Sequence, residues 1–242
     1  MFSGTNSNLN SLYFVNGTLG FAAAQNGKVL KTTDAGFSWL QRSVDSAANL
    51  KSIFFVSDSI GYVVGLQAKL FKTTDGGLTW IDKSPNYDPS FNKFNSVFFV
   101  NQDTGYIGAG NNYNGTGLIL YTTDGGNTWE ENFNIAPGKR NFKKSNNFTY
   151  DDSYGIREIF FLNSLKGFAV VGTGEGWSRT ILTTSNGGLN WSIKYYGLEE
   201  FGLLTICVTD IGNGIAAGFN GSIFKTNDGG NIWNQYFSGG YK

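Results

Sequence analysis

The chain has 242 residues, no histidine, one cysteine, and 18 basic against 18 acidic side chains, for a formal net charge of zero. A neutral chain lacks the broad positive field that nucleic-acid binding draws on, so no DNA or RNA partner is expected. Without histidine it can hold neither a Ser-His-Asp triad nor a histidine metal site, and neither a metal nor another cofactor is expected. Cys207, in the apolar run Leu203–Val208, reads as a small buried side chain rather than a nucleophile.

Taken in chain order, the elements repeat. Leu12–Val15 is a short apolar strand, Asn16–Gly20 a turn, and a second strand begins at Phe21. After a third strand comes Thr32-Thr33-Asp34-Ala35-Gly36-Phe37-Ser38-Trp39. The next unit is the clearest. Ser52–Val56 and Tyr62–Gly65 flank the turn Asp58–Gly61, Leu70–Thr74 is a third strand, and Asp75-Gly76-Gly77 is a turn needing positive φ. Thr79-Trp80-Ile81-Asp82 starts a fourth strand. The same order returns from Ser96–Val100 to Thr122–Trp129, from Ile159–Leu162 to Thr184–Trp191, and from Thr205–Val208 to Thr226–Trp233. Five of the six tryptophans end such a block.

Four antiparallel strands in about 40 residues make one propeller blade, too small to keep a core of its own. The expected fold is therefore all-β, a β-propeller of five four-stranded antiparallel blades. The blades fall near residues 10–43, 50–84, 94–133, 157–196 and 203–237, forming one domain over 1–242. The aspartates read as acceptors for turn N–H groups rather than as catalytic acids. The tryptophans read as apolar wedges between sheets, each with an N–H to satisfy.

The units differ in length, and the extra residues are not scattered. The turn between first and second strands and the Asp-Gly-Gly turn barely vary, whereas 85–91, 111–117, 135–155 and 173–179 are enlarged. Strand direction alternates, so the enlarged connections fall at the end of the blade opposite the constant turns, on blades two to four. Binding loops concentrate in this way on one end of a rigid scaffold. Trp177, the tryptophan outside every repeat block, stands there with Glu175 and Arg179, and the other insertions bring Tyr87, Tyr113, Arg140 and Tyr154. Flat aromatic faces among oriented polar groups suit a glycan or peptide, and these seven residues form the candidate ligand site. No catalytic residue and no metal ligand is assigned.

The Thr-Thr-Asp-Gly-Gly-x-Thr-Trp block resembles the Asp-box, or BNR repeat. With the upstream Phe-Phe-Val…Gly-Tyr pattern it is most similar to the Ycf48/HCF136-type propeller repeats of photosystem II assembly factors and of many exported bacterial proteins. The resemblance extends over roughly residues 10–237. It implies a blade structure more than a function, because sialidases, xyloglucanases and sortilin-type receptors carry the same box. Photosynthetic members have seven blades and an arginine-rich patch. This chain shows five blades and four dispersed arginines, Arg42, Arg140, Arg157 and Arg179. The expectation is a non-catalytic binding or scaffolding propeller that meets a glycan, peptide or protein partner through the loops of blades two to four. The alternative is a sialidase- or xyloglucanase-like glycoside hydrolase. A monomer, or a module of a larger assembly, is expected. No segment is long and apolar enough to span a membrane, and the first residues lack a signal peptide. An extracellular or periplasmic location is expected for a mature or excised part of an exported protein, with the cytoplasm as the alternative.

Overall fold

A computed structural model describes residues 4–86, 93–110, 117–135, 155–172, 179–197, 202–209 and 211–236. It contains five four-stranded antiparallel sheets, each with its strands in sequence order. The first is Leu9–Phe14, Gly20–Ala24, Lys28–Thr32 and Leu40–Ser43; the second is Leu50–Phe55, Gly61–Gly65, Leu70–Thr73 and Ile81–Asp82. The third runs through Lys93–Phe99, Gly105–Gly110, Gly117–Thr122 and Glu130–Ile135, the fourth through Ile156–Phe161, Gly167–Val171, Arg179–Thr184 and Ser192–Gly197. The fifth is Leu203–Val208, Gly214–Gly218, Ile223–Thr226 and Asn234–Tyr236, with a single 3-10 turn at Phe219–Gly221. The all-β class and the four-stranded propeller blade are as the repeat predicted. The chain divides into two compact units, Met1–Ile107 with Tyr121–Glu130, and Gly108–Leu120 with Glu131–Lys242.

Within the first unit the packing follows one rule. The glycine that opens each second strand lies across from an aromatic of the first strand: Phe14 pairs with Gly20 and Phe55 with Gly61. With no Cβ beneath it, the ring lies flat over the glycine and is free to stack on the preceding sheet. Phe55 stacks on Phe21 at 3.7 Å between centroids, and Phe99 on Tyr62 at 3.8 Å. Each of these rings also meets the tryptophan of its own sheet edge-on, Phe55 with Trp80 and Phe99 with Trp129, both at 6.0 Å. A second ladder, Tyr13 to Phe54 to Phe98, runs through the first strands at 4.8 and 4.7 Å.

Polar groups join the same sheets. Lys31 Nζ donates to the Gly76 carbonyl and Lys72 Nζ to the Gly125 carbonyl, each at 2.8 Å. Each lysine thus ties one sheet to the aspartate turn of the next. The Tyr62 hydroxyl also donates to Gly125 O, at 3.0 Å, and its pKa is pushed up to about 12 by burial and by the charges of Asp103 and Asp124. Ser11 Oγ accepts from Ile53 N–H and Ser52 Oγ from Val97 N–H. In the second unit Glu158 takes the serine's place and accepts from Ile206 N–H at 2.7 Å. Half-buried there, its carboxyl is pushed up by desolvation. Four of the first strands carry a register shift near their start, at Leu9/Ser11, Leu50/Ser52, Ile156/Glu158 and Leu203/Thr205. Such a shift re-aims the side chains at one end of the strand.

Three sequence expectations need correction, the first being that the fourth strand of the second sheet begins at Ile81 and not at Thr79. Cys207 is exposed, not buried; it sits opposite Ile215, which is itself exposed. The indole N–H groups are also not all satisfied. Trp39 and Trp233 donate to the carbonyls of Gly36 and Gly230, and Trp191 to Asn132 Oδ1, all at 3.1 Å. Those of Trp80 and Trp129 meet no protein acceptor.

Candidate functional site

The antiparallel order places the aspartate turn and the turn between first and second strands at one end of each sheet. The connections that carry the insertions leave from the other end. Of the seven candidate ligand residues, Tyr87, Tyr113, Arg140, Tyr154, Glu175 and Trp177 lie outside the described residues. Arg179 opens the third strand of the fourth sheet, where its backbone pairs with Gly197.

The stems of three insertions are described, and they meet. Gly110 and Gly117 bound the hairpin insertion of the third sheet, Gly155 ends the long connection into the fourth, and Gly172 precedes the hairpin insertion of the fourth. A Cβ on Gly155 would lie 2.5 Å from Gly110 Cα and 2.8 Å from the Ala109 carbonyl oxygen, and a Cβ on Gly117 3.5 Å from Gly155 Cα. Gly172 N–H donates to Gly155 O at 3.2 Å, and Arg157 Nε to Gly172 O at 3.3 Å. Gly155 has φ of +143°, a region open essentially to glycine alone. Backbones therefore pass in direct contact at Gly110, Gly117, Gly155 and Gly172, which border the insertions at 111–116, 136–154 and 173–178. Sequence reasoning singled out the insertions and passed over these glycines. Their positions flanking each insertion were the available signal, since close backbone approach is one use of glycine.

At the opposite end the carboxylates have structural work. Asp75 Oδ1 accepts from the Thr73 hydroxyl at 2.8 Å and from the N–H groups of Leu78 and Thr79 at 3.0 and 2.9 Å. Asp124 does the same with Thr122, Asn127 and Thr128. Asp34 accepts from Thr32 and from both the N–H and the hydroxyl of Ser38. In the fourth sheet Asn186 replaces the aspartate and still accepts from Thr184 and Asn190. The glycine pairs that follow, such as Gly76 and Gly77 with φ of 69° and 80°, supply the left-handed backbone that the turn needs.

Hydrogen bonds from the neighbouring hydroxyls and N–H groups hold the Asp34, Asp75 and Asp124 carboxyls at about 2. A folded-state pKa below the unfolded value stabilises the fold above about pH 4 and loses that contribution as pH falls towards 2. Asp75→Asn keeps an acceptor, as Asn186 shows, but cannot titrate. Its melting temperature near neutral pH should lie below wild type, because the hydrogen bonds to a charged acceptor are lost, and between about pH 4 and pH 2 it should fall less steeply, so that the two converge in acid. Thermal melts across that range check this, and an unchanged acid slope would remove Asp75 from the account. Among the described residues no cluster of His, Cys, Asp and Glu is arranged to hold a metal ion, and no helix is long and apolar enough to cross a membrane.

Comparison with known proteins follows the repeat. Residues 33–141 match the sequence model of a family described as photosynthesis system II assembly factor YCF48. That stretch runs from the aspartate turn of the first sheet through the third, against the 10–237 expected from the repeats. Later blocks are degenerate, with Asn186 for aspartate in the fourth sheet and Ile232 for threonine in the fifth. No curated protein matches the sequence. Among solved structures, the GH74 enzyme of Niastella koreensis is similar over 94% of this chain and 38% of its own, at 20% identity and a TM-score of 0.70. This chain therefore spans well under half the length of that enzyme. The WD40 β-propeller domain of Doa1 is similar over 92% of this chain and 66% of its own, at 14% identity and a TM-score of 0.60. YCF48 bound to a D1 peptide matches over 96% of this chain and 83% of its own, at 19% identity and a TM-score of 0.48. At such identities the likeness to the enzyme and to the WD40 domain is one of fold, the β-propeller.

Proposed function

We propose, with a Ycf48-like BNR-repeat β-propeller as the premise, that this chain is a non-catalytic binding module whose ligand is a polypeptide segment held by the insertions at 111–116, 136–154 and 173–178. The observation that carries the reading is the meeting of their stems at Gly155. Glycines that border all three insertions lie in mutual backbone contact, which favours a shared surface over three separate ones. The family model matched by residues 33–141 is named for an assembly factor, and that supports a protein partner over a glycan. In this reading Trp177 is the aromatic anchor, and Glu175, Arg179, Tyr113, Arg140 and Tyr154 are the further contact residues to test.

The alternative, a glycoside hydrolase, draws on the fold shared with the GH74 enzyme. Aspartates held at about 2 as turn acceptors are poorly suited to donate a proton near neutral pH. The test uses an array of short extended peptides and a polysaccharide panel containing xyloglucan. The probes are wild type, a variant with 137–153 replaced by a short Gly-Ser linker, and Trp177→Ala. Peptide binding should be lost with the linker and fall by about 10- to 100-fold with Trp177→Ala, as expected when an anchor residue is truncated. Both melting temperatures should stay near wild type. Undiminished binding by the linker variant would overturn the reading, and so would release of reducing ends from xyloglucan by wild type.

A further inference from the structure

The first strand of the first sheet presents a row of apolar side chains to solvent. Leu9, Leu12 and Phe14 are 50, 61 and 38% exposed. The residues at the same register positions in the second sheet, Leu50, Ile53 and Phe55, are 0, 3 and 1% exposed. In the second sheet this row is covered by the first, through the Phe21–Phe55 stack. The fifth sheet shows the converse. Ile215 holds the place of Phe21, Tyr62 and Phe168, which are fully buried, yet it is 50% exposed. Cys207 beside it is exposed as well.

The polar groups of the junction follow the same division. Lys225 is paired with Ile215 as Lys31 is with Phe21, and its ammonium rests 3.8 Å from the centre of the exposed Tyr236 ring. Thr205 stands where Ser11 and Ser52 accept an N–H from the next first strand. On the first sheet, Ala35 holds the turn position whose carbonyl, at Gly76 and Gly125, receives a lysine. One face thus carries what a preceding blade offers, and the other what a following blade offers. Neither is complementary to itself, so a two-fold symmetric pairing of like faces is excluded, and only a head-to-tail contact matches.

We propose that the fifth-sheet face of one copy of this chain docks on the first-sheet face of a second copy, reproducing between molecules the junction seen between the first and second sheets. Ile215 covers Phe14 and Leu12, Cys207 meets Tyr13, Lys225 donates to the Ala35 carbonyl, and Thr205 accepts from Leu12 N–H. Contiguous exposed apolar rows of this kind mark association surfaces.

Light scattering on the full chain over a dilution series tests this. Wild type should show a mass above one chain that rises with concentration. Leu12→Glu and Ile215→Glu each place a charge on one face and should each give a single-chain mass, with melting unchanged in dilute solution because both sites are exposed. Mixed in equal amounts, the two variants keep one intact face each, and they should form pairs and go no further. A single-chain mass for wild type at every concentration, or no pairing in the mixture, would overturn the proposal. Tyr13→Cys adds a second readout. Copper-phenanthroline, as oxidant, should join its thiol to Cys207 of the next copy and give a ladder on a non-reducing gel. A disulfide formed within one chain, with no gain in mass, would overturn the proposal as surely.

Discussion

Phe99→Ala should destabilise the protein by about 3–5 kcal/mol, while Phe14→Ala, at the same place in its own repeat, should cost about 1 kcal/mol. Phe99 is buried, with one face on the Tyr62 ring at an interplanar angle of 10° and its side against the edge of Trp129. Truncation would leave a ring-sized void between two sheets that are also fixed by Tyr62 and Lys72 on the Gly125 carbonyl. Such a void cannot collapse without breaking those hydrogen bonds, so the upper range for large-to-small core substitutions applies. Phe14 has its tryptophan, Trp39, at 6.4 Å, but among the described residues it makes no ring stack like that of Phe99, and solvent already reaches it. Urea unfolding of both variants at low protein concentration measures the contrast. Equal losses would mean that the stack on the preceding sheet contributes little, and the packing rule given for the first unit would fail.

That contrast marks the limit of what the sequence discloses. Tyr62, Val63 and Val64 could be assigned to a strand because apolar runs bounded by turn residues have few other readings. The aspartate turns were legible because their two left-handed positions demand glycine, and Gly76 and Gly77 supply it. The start of the fourth strand was placed too early. Thr79 donates its N–H to Asp75, so the turn consumes it and pairing begins only at Ile81. Cys207 was misjudged for a different reason. Apolar character shows that a face can be buried, but whether a neighbour covers it depends on a sheet elsewhere in the chain or in another molecule. Leu12 and Ile53 are indistinguishable in pattern and opposite in exposure. At the candidate site the variable lengths revealed which connections differ. They did not reveal that three of them share a root, because that rests on backbone approach at Gly155 and Gly110, which leaves no mark in hydrophobic pattern.

The glycines beneath the stacked rings extend the first contrast to a substitution that adds a single methyl group. Gly105→Ala should cost about 2–3 kcal/mol, towards the upper end for overpacking a core. Its Cβ would lie 2.5 Å from Cε1 and Cζ of Phe99, a separation that no ordinary contact allows. The sign is decided by whether the ring can give way, and here it cannot. Tyr62 blocks it on one face and Trp129 at the side, and Tyr62 is itself held by the Gly125 carbonyl. Gly20→Ala meets nearly the same clash on paper, with Phe14 Cε1 at 2.7 Å. Phe14, however, is partly in solvent and can swing outward. Alanine also fixes a strand backbone better than glycine, by about 0.5–1 kcal/mol. Gly20→Ala should therefore be near neutral in dilute solution. If the first-sheet face docks on a second copy, the displaced ring should weaken that association while leaving the unfolding midpoint in place. Measuring both variants by unfolding and by light scattering separates the two effects. A Gly20→Ala variant as unstable as Gly105→Ala would show that Phe14 is confined within its own sheet, and that exposure does not translate into freedom to move.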